Sequence, residues 1–543
     1  MALREKQVPG SRVFAGGEPF LNRSRRGAVY LAILFFCVWL FLGSSSSSVS
    51  STSTRITSKL KNQALRLTSP ITDEEIYGPP VLPPQPRPLP PKDSAIAPLR
   101  SWEHGVPETT VHGISGGEYS VDGVAPLSHL SFILHAGWSL LENVVLLNGT
   151  LFIVSDDTSK FPPLDKMFST GVPMESEPST WRGRDTTPRE MQIVSTKRAS
   201  ELFGPYGSRI QGTTFFCNDA SQFASHYYHF VGEILFGLWR TYSSLDLNIP
   251  ASGKLQSGTP LTAPRRFMFP HVNAADFRDY SGLSEFIMRA VFPSMAFEFR
   301  DTFNDRNMTG KPFILDRVVI GDRIAAELSP QWHRLYKYVA PAFELPGSGT
   351  NFWGPVRRAL VQFLAKDELL SDSTTPESIS ARSKTVITYV SRQDWGRRTL
   401  LPADHDNLVK ALRSLERRHG YEVNIVSMDK LTLQEQLNLA LRTTVMLGVH
   451  GNGLTHALWM DPSRSPVLME FFADQGFSFD YEYPMRQLGI TYYGWWNSKS
   501  FSHRELPENH IDDAFQGTAI RIDGEAVAKR IHEHVTSTAQ SSS

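Results

Sequence analysis

The sequence predicts an α/β protein whose C-terminal half is a doubly wound domain on a parallel sheet. Between residues 385 and 472, β-branched apolar runs alternate with segments of helical period. A β-α-β-α order of this kind calls for parallel strands with crossover helices on the sheet faces. A further observation sits at the other end of the chain, where a charge-free apolar run reads as a membrane segment rather than a core element.

That run is Gly27–Gly43, 17 residues long, at the short end of the roughly 17 to 25 residues that span a bilayer. Arg23, Arg25 and Arg26 precede it, and the next base is Arg55. Such asymmetry keeps the N-terminal side in the cytoplasm. The expectation is a single-pass type II protein of the Golgi or endoplasmic reticulum membrane with its bulk in the lumen; a cleaved signal peptide with a long leader is the alternative. The expected order is a cytoplasmic tail (1–26), the anchor (27–43), a Ser- and Pro-rich stem (44–105), an N-terminal domain (106–345), a C-terminal domain (346–530) and a flexible tail (531–543). Lys+Arg and Asp+Glu each total 55, so the chain lacks the basic excess of a nucleic-acid binder. Two cysteines, Cys37 in the anchor and Cys217 beyond it, exclude a disulfide scaffold. Asn148-Gly149-Thr150 and Asn307-Met308-Thr309 are N-glycosylation sequons on the expected lumenal side.

In the N-terminal half, residues 143–154 read as a β-hairpin turning at Asn148-Gly149. Residues 225–242 read as one helix that sets His226, His229 and Glu233 on a common face. Two chemistries are open for that face. His229 and Glu233 can move a proton, or they can tie the helix to a neighbouring loop by hydrogen bonds. A His-x-x-His-x-x-x-Glu face also admits a metal-dependent hydrolase, although its spacing is not that of the familiar zinc helix.

In the C-terminal half, strands are expected over 385–392, 421–428, 444–450 and 466–472. Helices are expected over 404–419, closed by Gly420, and after the Thr432-x-x-Glu435 capping box. Ligands collect at the carboxyl ends of such strands. Three groups fall there: Arg392 with Arg397 and Arg398, the turn His450-Gly451-Asn452-Gly453, and Glu470. Glycines let backbone N–H groups approach an anion, guanidinium forks match phosphate oxygens, and a strand-end carboxylate can accept ribose hydroxyls. Each also has a plainer reading: solvated arginines, a satisfied buried histidine, a simple turn. Tyr492, Tyr493, Trp495 and Trp496 form an aromatic cluster, either core or cleft wall.

The stretch TVMLGVHGNGLTHALWMDPSRSPVLMEFF resembles the signature of glycosyltransferase family 61, a strand followed by HGAGLTN, an apolar helix and a strand ending in Glu. Ser391-Arg392 and Arg397-Arg398 match the family's upstream S-R strand end and arginine-rich loop. LTLQEQLNLAL resembles the helix before the signature. The 225–242 helix resembles the family's N-x-Y-H-W-x-x-D segment, with His229 at the His and Glu233 at the acid. The likeness covers roughly residues 140–500. This chain departs from it at Asn452, where Ala is usual, and at His456, where Asn is usual.

The resemblance implies a GT-B type fold, two Rossmann-like domains facing a cleft, preceded here by the single transmembrane helix. It implies an inverting glycosyltransferase that moves xylose, N-acetylglucosamine or arabinose from a UDP-sugar to a glycan or glycoprotein. Arg392, Arg397, Arg398, His450, Gly451, Asn452, Gly453 and Glu470 would bind the donor, with Glu233 or His229 as base. No cofactor or metal is expected, because a helix N-terminus and three arginines offset the leaving diphosphate's charge. A non-catalytic carbohydrate-binding protein on the same fold is the other alternative.

Overall fold

In the computed structural model of the chain, which describes residues 129–130, 136–171, 184–204, 207–370, 372–511 and 514–541, two sheets organise everything else. Both fall within one unit, residues 112–543. The expected anchor and stem lie outside the described residues. Among the described residues, no helix is long and apolar enough to cross a membrane.

The second sheet follows the sequence closely. Strands β9 (Val386–Val390), β10 (Glu422–Val426), β11 (Val445–Val449), β12 (Val467–Phe471), β13 (Thr491–Trp496) and β14 (Lys499–Phe501) stand in the order β10-β9-β11-β12-β13-β14. All pairs are parallel except β13 with β14. Helix Pro402–His419 buries Leu408, Ala411, Leu412 and Leu415, and Gly420 closes it in the left-handed conformation, φ 70°. The Thr432–Glu435 capping box forms in full at the start of helix Leu433–Arg442.

The first sheet is also rich in parallel pairs, which fits a Rossmann-like layer, but it carries one antiparallel strand in its middle. Its strands are β1 (His129–Leu130), β2 (Trp138–Leu147), β3 (Thr150–Val154), β4 (Met191–Val194), β5 (Ser208–Cys217), β6 (Arg266–Met268), β7 (Ala296–Glu298) and β8 (Phe313–Gly321). Along β4-β3-β2-β8-β5-β6-β7, strands β8, β5, β6 and β7 run parallel, but β2 is antiparallel to both β3 and β8. The reason is local. Asn148 and Gly149 both adopt positive φ, 51° and 85°, so β2 turns into β3 through a two-residue hairpin, and a hairpin cannot join parallel strands.

Two further elements depart from expectation. Residues 225–242 are not one α-helix: a short helix Ser221–Ala224 is followed by a π-helix, Tyr228–Leu235, and then an α-helix, Phe236–Ser243. Residues 531–543, expected as a loose tail, begin inside helix Gly524–Ser541. Val527, Ala528 and Ile531 lie in one apolar cluster with Leu408, Leu412 and Leu415, and that burial carries the helix onward. Cys217 is a free, buried thiol, as expected of a small apolar side chain.

Candidate active site

The carboxyl ends of β9 and β11 build one wall of the site. Beyond β9, Arg392 lies against the turn after β11: a Cβ on Gly451 would stand 2.5 Å from its Nη1, so only glycine admits the guanidinium there. Arg392 Nε is buried without a hydrogen-bond partner. Arg398 holds a non-glycine residue at φ 54°, a backbone strain of the kind found at binding sites. Its Nε donates to Gln516 Oε1 at 2.8 Å, and its guanidinium stands over the Phe515 ring. Burial, then the neighbouring Arg392 and Arg397, pull Arg398 down to about 10. Burial and Arg397 lower Arg392 as well, and guanidinium groups crowded in this way mark a place that favours an anion. Arg397 is exposed, its Nη1 3.4 Å from Gln516 Oε1.

His450, Gly451, Asn452 and Gly453 form the turn into a 3-10 helix, Asn452–Trp459. Beside it lies a cavity of about 370 Å³ lined by Tyr280, Val390, Arg392, Trp395, Asn452 and His456, among others. The Asn452 side chain makes two contacts across the turn. Its Oδ1 accepts the Tyr228 N–H at 3.0 Å and its Nδ2 donates to Tyr280 Oη. His456 Nδ1 donates to Gly453 O at 3.0 Å, so Nε2 is a bare acceptor, buried and unpartnered.

Glu470, expected to meet ribose hydroxyls, is wholly buried. Its Oε1 is 2.5 Å from His450 Nδ1 and its Oε2 accepts Tyr492 Oη at 2.6 Å. Burial raises its carboxyl to about 8 against the pull of Tyr492. Burial also holds His450 well below the usual imidazole range, with Arg398 acting in the same direction. Both shifts favour the uncharged form of the group. His450 Nε2 stands 3.5 Å from Asp480 Oδ2. Glu470 orients His450 from below the rim. Tyr492 and Trp495 are buried as core, whereas Tyr493 and Trp496 are half-buried.

The opposite wall is the π-helix. His229 Nδ1 donates to Glu233 Oε2 at 2.7 Å, and Arg323 Nη2 donates to the same oxygen at 2.8 Å. Arg323 is held by Asp219 through its backbone N–H at 2.9 Å and its Nε at 3.3 Å. Burial pushes the Glu233 carboxyl up, but Arg323 and His229 together outweigh it and keep it below its ordinary value. The Glu233 side chain is 4% exposed and that of His229 is 34%. An ionised carboxylate fixes Nδ1–H, so Nε2 of His229 is the basic nitrogen. A guanidinium on Glu233 also makes this face a poor cation site. Among the described residues, no group of three His, Cys, Asp or Glu side chains is arranged to hold a metal ion. His226, whose Nδ1 has no partner, lies with its ring centroid 4.9 Å from that of His229 at a tilt of 49°, and burial lowers it to about 4.

Sequence reasoning missed Arg323, Lys337, Asp480 and Tyr280. Lys337 Nζ pairs with Asp480 Oδ1, a partner 143 residues away that no spacing reveals. Burial brings Lys337 down to about 8 against the attraction of Glu233. Arg323 carried one readable signal, its place just past the apolar strand β8. The chain also holds an Asp-x-Asp triplet, Asp404-His405-Asp406, which the metal-free expectation left out of account. The triplet lies in the first turns of helix Pro402–His419. There Asp404 accepts from Arg521 Nε and the Ile522 N–H, and His405 pairs with Tyr389 Oη. The two sequons lie side by side: Asn148 is exposed at the hairpin, and the Asn307 amide nitrogen is 3.3 Å from where a Cβ on Gly149 would sit.

One span of chain thus carries His229 and Glu233 at its start and Arg392, Arg398 and the His450–Gly453 turn near its end. Residues 227–467 match the glycosyltransferase 61 family. The glycosyltransferase 61 match begins one residue before the π-helix and ends on the first residue of β12, so it takes in both walls. The family resemblance read from the sequence is borne out. The chain is also similar to the EGF domain-specific O-linked N-acetylglucosamine transferase of Drosophila melanogaster, 37% identical over 79 residues. That alignment covers 14% of this chain and 14% of the relative.

Proposed function

We propose that this protein is an inverting glycosyltransferase that moves a sugar from a UDP-sugar to a hydroxyl of a glycan or glycoprotein. Of the expected sugars, N-acetylglucosamine is the one named by the Drosophila relative; xylose and arabinose are the others. The reaction is a single displacement. The acceptor oxygen attacks the anomeric carbon, the bond to the diphosphate breaks, and UDP leaves with the electron pair. His229 Nε2 takes the acceptor's proton while Glu233, held by Arg323, orients the ring and balances the imidazolium. Arg392, Arg398 and the N–H groups that open the 3-10 helix at Gly451–Gly453 receive the leaving charge. These groups take the place of a divalent metal. The same reading keeps the chain as a type II protein of the secretory pathway, anchored by residues 27–43.

One observation carries it: the His229–Glu233–Arg323 chain stands on a helix whose first turn is hydrogen-bonded to the candidate donor turn. The test is a panel of nucleotide sugars, read by thermal shift and by turnover, with and without chelator. At about 100 times its dissociation constant the true donor stabilises by roughly 2.7 kcal/mol, and chelator leaves both signals intact. Arg398→Ala weakens UDP about tenfold or more, the loss of one charge-assisted contact. Binding without turnover on any acceptor favours the carbohydrate-binding alternative, and a requirement for added metal overturns the mechanism.

A further inference from the structure

We infer that Asn452 is a positioning residue, a strap that couples the donor turn to the helix carrying the base. The inference rests on the reading of His229 as that base. The first turn of any helix leaves backbone N–H groups without partners inside it. In the π-helix Tyr228–Leu235, the Tyr228 N–H is met from outside by Asn452 Oδ1 at 3.0 Å, across 224 positions of sequence. The bond acts as a cap supplied in trans. It lands one residue before His229. The other end of the same amide, Nδ2, donates to Tyr280 Oη, on the segment between β6 and β7.

Both polar atoms of the Asn452 side chain are engaged, Oδ1 by the Tyr228 N–H and Nδ2 by Tyr280 Oη, so the side chain ties these two segments to the turn. The turn is fastened from the C-terminal half as well, since Tyr481 Oη donates to Gly451 O at 2.8 Å and the Tyr481 ring packs on Tyr228 at 5.2 Å. A π-helix has a wider, weaker hydrogen-bond ladder than an α-helix and is often found at functional sites. Its starting geometry is therefore sensitive to the cap. Seating a diphosphate against the Gly451–Gly453 backbone fixes Asn452, and Asn452 fixes the level of His229.

The test uses the full-length protein and three variants, Asn452→Ala, Asn452→Asp and Tyr280→Phe. Hydrogen exchange over residues 225–235 reads the strap without any turnover. Asn452→Ala speeds exchange at the Tyr228 amide roughly fivefold to tenfold, the scale of a lost cap, while Asn452→Asp, which keeps the acceptor, stays near wild type. In turnover, Asn452→Ala lowers kcat about tenfold to a hundredfold, as expected for a misplaced base, and leaves the UDP dissociation constant within about twofold. Tyr280→Phe loses less of kcat than Asn452→Ala. Unchanged exchange in Asn452→Ala overturns the strap, as does a fall in UDP affinity that matches the fall in kcat, which would make Asn452 a donor ligand. If wild type turns over no nucleotide sugar, the functional reading fails, and the exchange comparison alone still decides the strap.

Discussion

In the proposed reaction His229 and Glu233 divide one task because of where each sits. Glu233 is buried under Arg323, which helps keep its carboxyl below its ordinary value, whereas the His229 side chain is 34% exposed. The sequence set both residues on one helix face, and spacing could not show the arginine that arrives just past β8. His229→Gln is expected to lower kcat by about 10²–10⁴, with UDP affinity unchanged by calorimetry; comparable turnover in that variant moves the base elsewhere. Glu470 makes a separate prediction. Its carboxyl is raised to about 8 in the fold against an ordinary value near 4.3, so the folded state holds a proton that the unfolded chain gives up. That contribution is complete below about pH 4 and is lost as pH rises to about 8. Glu470→Gln cannot lose it, so its melting temperature relative to wild type should rise from pH 5 to pH 8. A constant difference across that range would mean Glu470 is ionised throughout.

Elements of the second sheet were legible because each carried two concordant signals, a period and a punctuating residue. Helix Pro402–His419 has its apolar stripe and Gly420; helix Leu433–Arg442 has its capping box. The π-helix was not legible, since its residues satisfy the α period and its widening depends on tertiary partners. Packing in the α-helix that follows, Phe236–Ser243, is close enough to test. A Cβ on Gly237 would meet the Trp138 ring at 2.1 Å, and that ring is fixed by the bond from Trp138 Nε1 to Tyr338 O at 2.9 Å. Gly237→Ala is therefore expected to destabilise by about 1–3 kcal/mol, measured by denaturant unfolding. An unchanged midpoint would show that the Trp138 ring yields.

At the scale of the whole molecule, each side of the boundary drawn at residue 345 holds an apolar cluster of its own, but the largest cluster runs across it. The largest apolar cluster contains Trp138, Phe236 and Val319 together with Trp353, Met446, Trp459 and Tyr492. Polar bonds cross the same boundary: Trp239 Nε1 to Phe352 O at 2.7 Å, Trp459 Nε1 to Tyr227 Oη at 3.0 Å, and Lys337 to Asp480. Domains that fold alone have cores of their own. Calorimetry is expected to give one cooperative transition for this unit, and residues 106–345 expressed alone are expected to give none; two resolved transitions would restore the two-domain picture. A shared core also limits how such a chain diversifies. Its halves are not cassettes that recombination can exchange, because a foreign partner would leave Trp353 and Trp459 facing the wrong neighbours. On the proposed function, a new sugar preference would have to arise in place, by substitution at cavity-lining positions such as His456.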